Sequence, residues 1–458
     1  MNSNPAYPPG RRFIAAITLG AALTPLNSTM IAVALPSIGE TFQTSSSDLT
    51  LWLVTSYLLV NIILQSPAGK LGDMLGRRRA FEIGLSLFAI GALIASFAFH
   101  LWIVAFSRIL MAAGGAMLIP NAMALLRNAI APDRRSRAFG YFGAILGASA
   151  AIGPLIGGIL TQNFGWKTIF LANLPILLLS WYLVHSESSA TYKPENKHSK
   201  QPVFDFLGMA LFAISLSSIL LGLKSNGYWA LVGILIGGLS LFTFIRWEKQ
   251  IDYPLIDLTI FRHKPFVIGG SISGLQNLGM YALLFQLPYL LKIRYSLELP
   301  EIGLVLLTMT LFMVICSPIG GRMGEFLGTR SSVLLGLFIS IVGLILLLLT
   351  TGQAPIIWMY FSLALVGGGI GIVSGLSQAA ALSAIDHKQS GVASGILSTM
   401  RYLGGIVGIA IISIILTDTD PVGLLNQSQL CFQIYIGVYV FAFLISIGLP
   451  GRIETSDQ

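Results

Sequence analysis

The sequence predicts an all-α polytopic membrane protein in which two six-helix bundles and two extra helices make fourteen spans. The mean hydropathy is +0.80, and only 10% of the residues are charged, against about 25% in a soluble protein. Apolar runs such as 13–35 and 332–349 carry no charged residue. A helix of about 20 apolar residues crosses the hydrocarbon core and satisfies its own backbone hydrogen bonds there.

Charged or turn-rich breaks divide the chain into fourteen apolar segments, including 49–68 and 265–291. With the N-terminus in the cytoplasm, 21 of the 27 Lys and Arg residues fall in cytoplasmic loops, four fall outside and two fall within spans. The positive-inside rule therefore predicts two cytoplasmic termini in a cell membrane, the inner membrane of a bacterium. The first apolar run is too long for a signal peptide and is predicted to be an uncleaved span. The net charge of +8 follows from this topology and does not indicate nucleic acid.

Two loops repeat each other. The stretch "GKLGDMLGRRR" at 69–79 aligns without a gap to "GRMGEFLGTR" at 321–330. Parallel repeats of six helices, with the substrate path between them, are a known transporter plan. The predicted domains are an N-terminal six-helix bundle (1–185), a cytoplasmic linker (186–202), two additional transmembrane helices (203–247), a second cytoplasmic linker (248–264) and a C-terminal six-helix bundle (265–458).

Further motifs match a known family. They are "LNSTMIAVALP" (26–36), "SRILMAAGGAMLIP" (107–120), "GYFGAILGASAAIGPLIGG" (140–158) and "PLIDLTIFRHKPF" (254–266). With the repeated loop, they resemble the major facilitator superfamily (MFS), in particular its fourteen-helix drug:proton antiporters. The resemblance implies a monomeric secondary transporter in the lipid bilayer that exports small organic molecules by alternating access and uses protons. It implies no enzyme activity and no cofactor.

Arg108 is a charge inside a span and is therefore a functional hypothesis by default; the alternatives are snorkelling and bonds to nearby helix carbonyls. In the family, the matching arginine lies in the central cavity and is linked to proton transfer. Two polar stripes also indicate a cavity, although each could instead join helices by hydrogen bonds. A methionine there would supply adaptable apolar surface or simply pack. The predicted cavity residues are Thr24, Asn27, Tyr57, Asn61, Gln65, Arg108, Met111, Gln276, Asn277 and Tyr281.

A second group is predicted to control the conformational change. The glycines of 69–79 would turn the chain tightly, and Asp73 would accept hydrogen bonds that lock the bundles in one state. The alternative is that the arginines only anchor the topology. In 140–158, small residues permit close helix approach and Pro154 would make a hinge, or the helix simply packs there. The predicted gating residues are Gly69, Gly72, Asp73, Gly76, Arg77, Arg78, Gly153, Pro154, Gly157, Gly158 and Glu325.

One expected group is missing. The family's first-helix motif carries Asp where this chain has Asn27, and an amide cannot titrate. Proton coupling would then use Asp73, Glu82 or a group of the substrate. Arg108 without a buried anion predicts a positive cavity that favours neutral, zwitterionic or anionic cargo over lipophilic cations.

Two other functions remain open. One is a specific exporter or facilitator of a neutral or anionic metabolite, such as a siderophore. The other is a membrane enzyme or sensor, which would need a nucleophile, metal cluster or catalytic pair, and the longest loop (186–202) has none. The two cysteines, Cys316 and Cys431, fall in apolar segments and indicate no metal site.

Overall fold

The chain is helical almost throughout in the computed structural model. The structure describes residues 11–130, 132–186, 205–225, 227–251, 254, 256, 258–350, 355–385, 390–416 and 421–451. The helices are α1 (Arg11–Phe42), α2 (Ser46–Leu49), α3 (Ser56–Leu75), α4 (Arg77–Ser96), α5 (Leu101–Ala129), α6 (Pro132–Phe164), α7 (Thr168–Leu171), α8 (Asn173–Ser186), α9 (Phe206–Lys224), α10 (Tyr228–Glu248), α11 (Lys264–Tyr295), α12 (Leu299–Leu327), α13 (Thr329–Thr350), α14 (Ile357–Ser383), α15 (Ser390–Ile415) and α16 (Pro421–Ser446). A π-helical turn, Thr50–Thr55, joins α2 to α3, and a 3-10 turn, Leu258–Arg262, precedes α11.

Twelve helices in the described part of the chain are long and apolar enough to cross a membrane. The prediction of an all-α, multi-pass membrane protein is confirmed. The predicted spans at 49–68 and 265–291 are helical but are not among the twelve. The first forms a shorter apolar helix, Thr50–Gln65, which begins with the π-helical turn, and the second, α11, carries several polar side chains. The count of fourteen spans therefore stays a prediction.

The two halves of the chain pack in the same way. In the first half, α1 packs on α6 and α8, and α4 packs on α5. In the second half, α11 packs on α15 and α16, and α13 packs on α14. The helices α9 and α10 pack on each other, and α9 also touches α3 and α15. This repeated pattern agrees with the sequence repeat, while the domain boundaries and the two linkers stay predictions; residues 187–204 lie outside the described part.

The repeated loop is a one-residue turn in both halves. Gly76 has φ +92° between α3 and α4, and Gly328 has φ +84° between α12 and α13. Side chains other than hydrogen strongly disfavour this backbone region, which explains a glycine at both positions. The expectation that Gly69 and Gly72 also turn the chain was wrong, because both lie inside α3.

An arginine follows each of these turns and closes the end of a helix. The Nη2 of Arg78 donates to the carbonyl of His185 in α8 at 2.9 Å. The aligned Arg330 donates from Nη1 to the carbonyl of Ile447, just after α16, at 3.1 Å. A cation at a helix C-terminus satisfies a free carbonyl and interacts favourably with the helix dipole. In this structure both arginines bind within their own half of the chain.

We call the end of the molecule that carries these turns the basic end, and the end at which α1 and α11 finish the opposite end. The basic end also holds Arg77, Arg79 and Arg322. In the sequence-based topology it faces the cytoplasm.

Candidate functional site: a buried arginine between two helical bundles

Arg108 lies in α5 with its side chain completely buried. Its Nε donates to the carbonyl of Leu53 at 3.0 Å, and its Nη1 donates to Oδ1 of Asn27. The guanidinium carbon lies 4.0 Å from the centroid of the Tyr57 ring, in a cation–π contact. Three elements of the first half therefore converge on this one cation, and the side chain does not snorkel to the surface.

The carbonyl that binds Arg108 belongs to the π-helical turn. Leu53 lies in the middle of Thr50–Thr55, where the backbone does not follow the regular α-helical hydrogen-bond pattern. Such turns occur as single insertions in α-helices, frequently at functional sites. The alternative reading, in which Arg108 bonds to a helix carbonyl, therefore holds for one of its donors.

Four buried polar atoms around the arginine have no hydrogen-bond partner among the residues that the structure describes. They are Thr24 Oγ1, Asn27 Nδ2, Tyr57 Oη and Arg108 Nη2. Thr24 and Tyr57 meet at Gly115, where an added Cβ would lie 3.2 Å from Thr24 Oγ1 and 3.5 Å from Tyr57 Oη. Buried polar atoms are paired in the great majority of cases, so a cluster of unpaired ones indicates a binding site.

The second half contributes tyrosines to the same region. Tyr281 of α11 is 9% exposed and lies close to Ser28, and the phenols of Tyr57 and Tyr402 lie within electrostatic range. Arg401, which is exposed, acts electrostatically on both Tyr281 and Tyr402. Sequence reasoning did not include Tyr402 or Arg401 among the candidate site residues. The only sequence signal was the adjacent pair Arg401–Tyr402 within an apolar span.

The other predicted cavity residues are placed as follows. Asn61 donates to the carbonyl of Tyr57 at 3.3 Å, and Gln65 continues that stripe with a buried, unpaired Oε1. Asn277 donates to the carbonyl of Ser273 in its own helix at 2.9 Å. The carbonyl of Gln276 accepts from Tyr439 Oη of α16 at 3.1 Å. Met111 packs against α4, since a Cβ added at Gly91 would lie 2.7 Å from its Cγ.

No carboxylate in the described residues contacts Arg108. Glu82 forms an ion pair at 3.2 Å with Arg78 at the basic end, and Glu325 is exposed at the end of α12. Asp73 lies in α3, and its side chain is outside the described part of the structure. The buried cluster therefore carries one positive charge that no described acidic side chain balances.

The two halves meet along α6 and α12, and their separation changes along this interface. Near the opposite end, an added Cβ on Gly158 would overlap the carbonyl of Leu299, and one on Gly303 would lie 2.5 Å from the carbonyl of Pro154. Halfway along, Thr310 donates to the carbonyl of Ala151 at 3.0 Å.

Toward the basic end the same two faces separate. An added Cβ on Gly147 would lie 3.5 Å from Val314, in ordinary van der Waals contact. One turn further, no described atom lies within 4 Å of such a Cβ on Gly143. Because Gly143, Gly147 and Gly158 share one face of α6, these distances describe a wedge that opens toward the basic end.

Two further contacts belong to this arrangement. Glu40 at the end of α1 forms an ion pair with Lys292 near the end of α11, which joins the halves at the opposite end. Within the first half, α6 packs directly on α1, because an added Cβ on Gly153 would overlap Thr29 and one on Gly157 would lie 2.5 Å from the carbonyl of Met30. The predicted small-residue helix thus touches both α1 and α12.

At the basic end, Gly72 leaves room for a hydrogen-bond network. The Nη1 of Arg77 donates to the carbonyl of Gly69 at 2.8 Å and to Oδ1 of the buried Asn121 at 3.3 Å, and an added Cβ on Gly72 would overlap that same oxygen.

We expect Gly72→Ala to destabilise the protein by about 1–3 kcal/mol, because Asn121 must leave its partners. Thermal unfolding in detergent measures this. Gly69→Ala is the matched control in the same helix, with nothing within 4 Å; equal melting temperatures for the two variants would contradict the assignment.

Comparisons with known proteins agree with the fold. The family model described as "Major Facilitator Superfamily" matches residues 17–409. The MFS-type transporter YvkA of Bacillus subtilis (strain 168) is 34% identical over 97% of this chain and 98% of its own length. The multidrug transporter protein MdtP of the same organism is 24% identical over 97% of this chain and 82% of its own length. A D-xylose-proton symporter structure has the same fold, with a TM-score of 0.71 at 14% identity over 98% of this chain and 99% of its own. The chain therefore belongs to the Major Facilitator Superfamily, and it is a membrane transporter of small molecules and not an enzyme.

Proposed function

We propose that the protein is a secondary active transporter that exports small organic molecules by alternating access, in the manner of a multidrug efflux protein. The observation that carries this proposal is the α6–α12 wedge, which is closed at the opposite end and open toward the basic end. The Arg108 cluster lies in the first bundle, where Tyr57 comes within electrostatic range of Tyr281 of the second bundle, and it is the proposed central site. The described state is then inward-facing.

The membrane placement is part of the same proposal. The basic end faces the cytoplasm, both termini are cytoplasmic, and the chain crosses the bacterial inner membrane fourteen times as a monomer. The excess of Lys and Arg at one end supports this orientation. The similarity to MdtP, named as a multidrug transporter, supports drug-like cargo and the drug:proton antiporter group.

We propose that the first helix carries no proton in the coupling of transport to the pH gradient. Asn27 cannot titrate, and it already accepts a hydrogen bond from Arg108. Glu82, Asp73 or a group of the substrate then carries the proton. We expect an imposed pH gradient to drive uptake into inverted vesicles, and this uptake to fail in the double variant Asp73→Asn, Glu82→Gln. Undiminished gradient-driven uptake by that variant would refute these two carriers.

A specific exporter or facilitator of a neutral or anionic metabolite is the second candidate. The four unpaired polar atoms around Arg108 favour it, because a defined set of donors suits one polar group better than many. A drug efflux protein would move several unrelated compounds at similar rates, whereas a specific exporter would move one class.

The test is direct transport by the purified protein in proteoliposomes. A panel of drugs and acidic metabolites is presented with and without a pH gradient, and movement against each compound's own gradient is measured. The proposal expects at least one compound to be moved in this way, with no movement in protein-free vesicles. Folded protein that moves none of the panel against a gradient would overturn it.

A further inference from the structure

We propose that the transported compounds are amphiphilic organic anions. Their acidic group binds Arg108, and their apolar part lies in a groove between α1, α5 and α6. This inference rests on the proposed export function and names the substrate class of that same site.

The acidic group is inferred from the charge of the buried cluster. An arginine side chain stays protonated in a protein, and in the described part of the chain Arg108 is bound by a carbonyl, an amide oxygen and an aromatic ring. A buried charge without a countercharge is strongly unfavourable. Its Nη2 and the Nδ2 of Asn27 are both donors, and neither has a partner among the described residues. A carboxylate or sulfonate would accept from these donors in charge-assisted hydrogen bonds and would balance the charge.

The apolar part is inferred from a groove of about 470 Å³ at the basic end. This volume lies in the range of sites for small organic molecules. No charged side chain among the described residues lines the groove, and the lining residues belong to three helices of the first half, except Ile130, which directly follows α5. The lining residues are Ile14, Ala15, Thr18, Leu19, Leu126, Ile130, Tyr141, Phe142 and Ile145.

The groove and the arginine lie along one path. Leu126 lies on the same face of α5 as Arg108 but five helical turns, or about 27 Å, further along the helix. The end of the groove nearer to Arg108 is on α1, where Leu19 lies about 12 Å along the axis from Asn27, which accepts a hydrogen bond from Arg108. This distance is roughly the length of a drug-sized molecule. One amphiphile can therefore reach Arg108 from this end of the groove.

Three probes with one apolar body test the charge preference. They are pyrenebutyrate, its neutral amide and the cationic pyrenebutylammonium, with binding to the intact protein in nanodiscs measured by fluorescence anisotropy against empty nanodiscs. We expect pyrenebutyrate to bind about 10–100-fold more tightly than the amide, as one charge-assisted contact implies, and the ammonium most weakly. Equal affinities, or tighter binding of the ammonium, would overturn the inference without any mutation.

Variants then test which residues bind the acidic group and which bind the apolar part. Arg108→Gln is expected to reduce the pyrenebutyrate affinity to that of the amide and to leave the amide within about twofold, while Arg108→Lys keeps the anion preference. Ala15→Trp, which fills the groove, is expected to weaken all three probes by a similar factor. Its control is Ile90→Trp on the exposed face of α4, which leaves binding unchanged. An Arg108→Gln variant of normal elution and melting temperature that keeps the anion preference would refute the assignment to Arg108.

The failure of this inference differs from a failure of the export function. Transport against a gradient without anion preference would remove the inference and leave the function. Anion-selective binding without transport of any compound would leave the site and remove the function.

Discussion

Replacing Gly158 with valine is expected to abolish most transport while leaving a folded protein. A side chain at this position overlaps the backbone carbonyl of Leu299, which cannot turn aside as a flexible side chain can. The overlap exists only while α6 and α12 are closed at the opposite end. A penalty of about 3 kcal/mol, at the upper end for overpacking, would lower the population of that closed state about 100-fold. Transport by alternating access needs this state in every cycle.

The matched control is Gly143→Val in the same helix. It lies on the same face of α6, toward the basic end, and an added Cβ there meets nothing within 4 Å. Transport in proteoliposomes, normalised to inserted protein, is expected to fall for Gly158→Val and to stay within about twofold for Gly143→Val. Equal transport by both variants would show that the α6–α12 contact does not control the cycle.

Asn27→Asp is expected to make transport of an anionic compound strongly pH-dependent. The introduced carboxyl would stand beside Nη1 of Arg108, where the amide oxygen accepts now. When it is ionised it pairs with the arginine, cancels the charge and excludes an anionic substrate. When it is protonated, the cation is again available. Anion transport by the variant should therefore fall as the pH rises.

The measurement is the initial rate of uptake across a pH series with equal pH on both sides of the membrane. Asn27→Leu is the control, because it removes the amide at similar volume without adding a titratable group. It is expected to lower transport at every pH by a similar factor. A variant Asn27→Asp with the pH profile of the unmodified protein would contradict the role given to Asn27 and Arg108.

The repeat was the most informative feature of the sequence for the fold. Gly76 and Gly328 have matching positive φ angles, and Arg78 and Arg330 bind matching helix ends. A tight turn needs a particular residue type at a particular position, so it leaves a mark in the sequence. Gly69 and Gly72 were misinterpreted because a glycine in a helix and a glycine in a turn look alike in sequence. The need for a glycine at position 72 arises from Asn121, 49 positions later in the chain.

The central site was predictable only in part. Arg108 is a charge in an apolar span, and Asn27 and Tyr57 stand out for a similar reason. The Leu53 carbonyl could not be predicted, because its availability as a hydrogen-bond acceptor depends on a backbone turn and not on a residue type. Tyr402 was missed because it joins the site only across the two halves, which no local spacing reveals.

The wedge between α6 and α12 could likewise not be predicted from the sequence. Small residues in 140–158 predicted close helix contacts, but they did not say that Gly153 and Gly157 meet α1 while Gly158 meets α12. That division depends on how α6 is inserted between two partners. Whether the contact between α6 and α12 is closed or open at one end depends on the conformation. The same sequence adopts every conformation of the transport cycle, so it cannot show which one is present.

Alternating access is tested most directly by two distances measured in the same protein. In a background with Cys316 and Cys431 replaced by alanine, spin labels are placed at Thr41 and Ile293 for the opposite end, and at Leu75 and Phe326 for the basic end. Both distances are measured by pulsed electron paramagnetic resonance. Introducing Gly158→Val should lengthen the first distance and shorten the second. If both distances stay unchanged, or change in the same direction, the two ends do not open in alternation and the account is wrong.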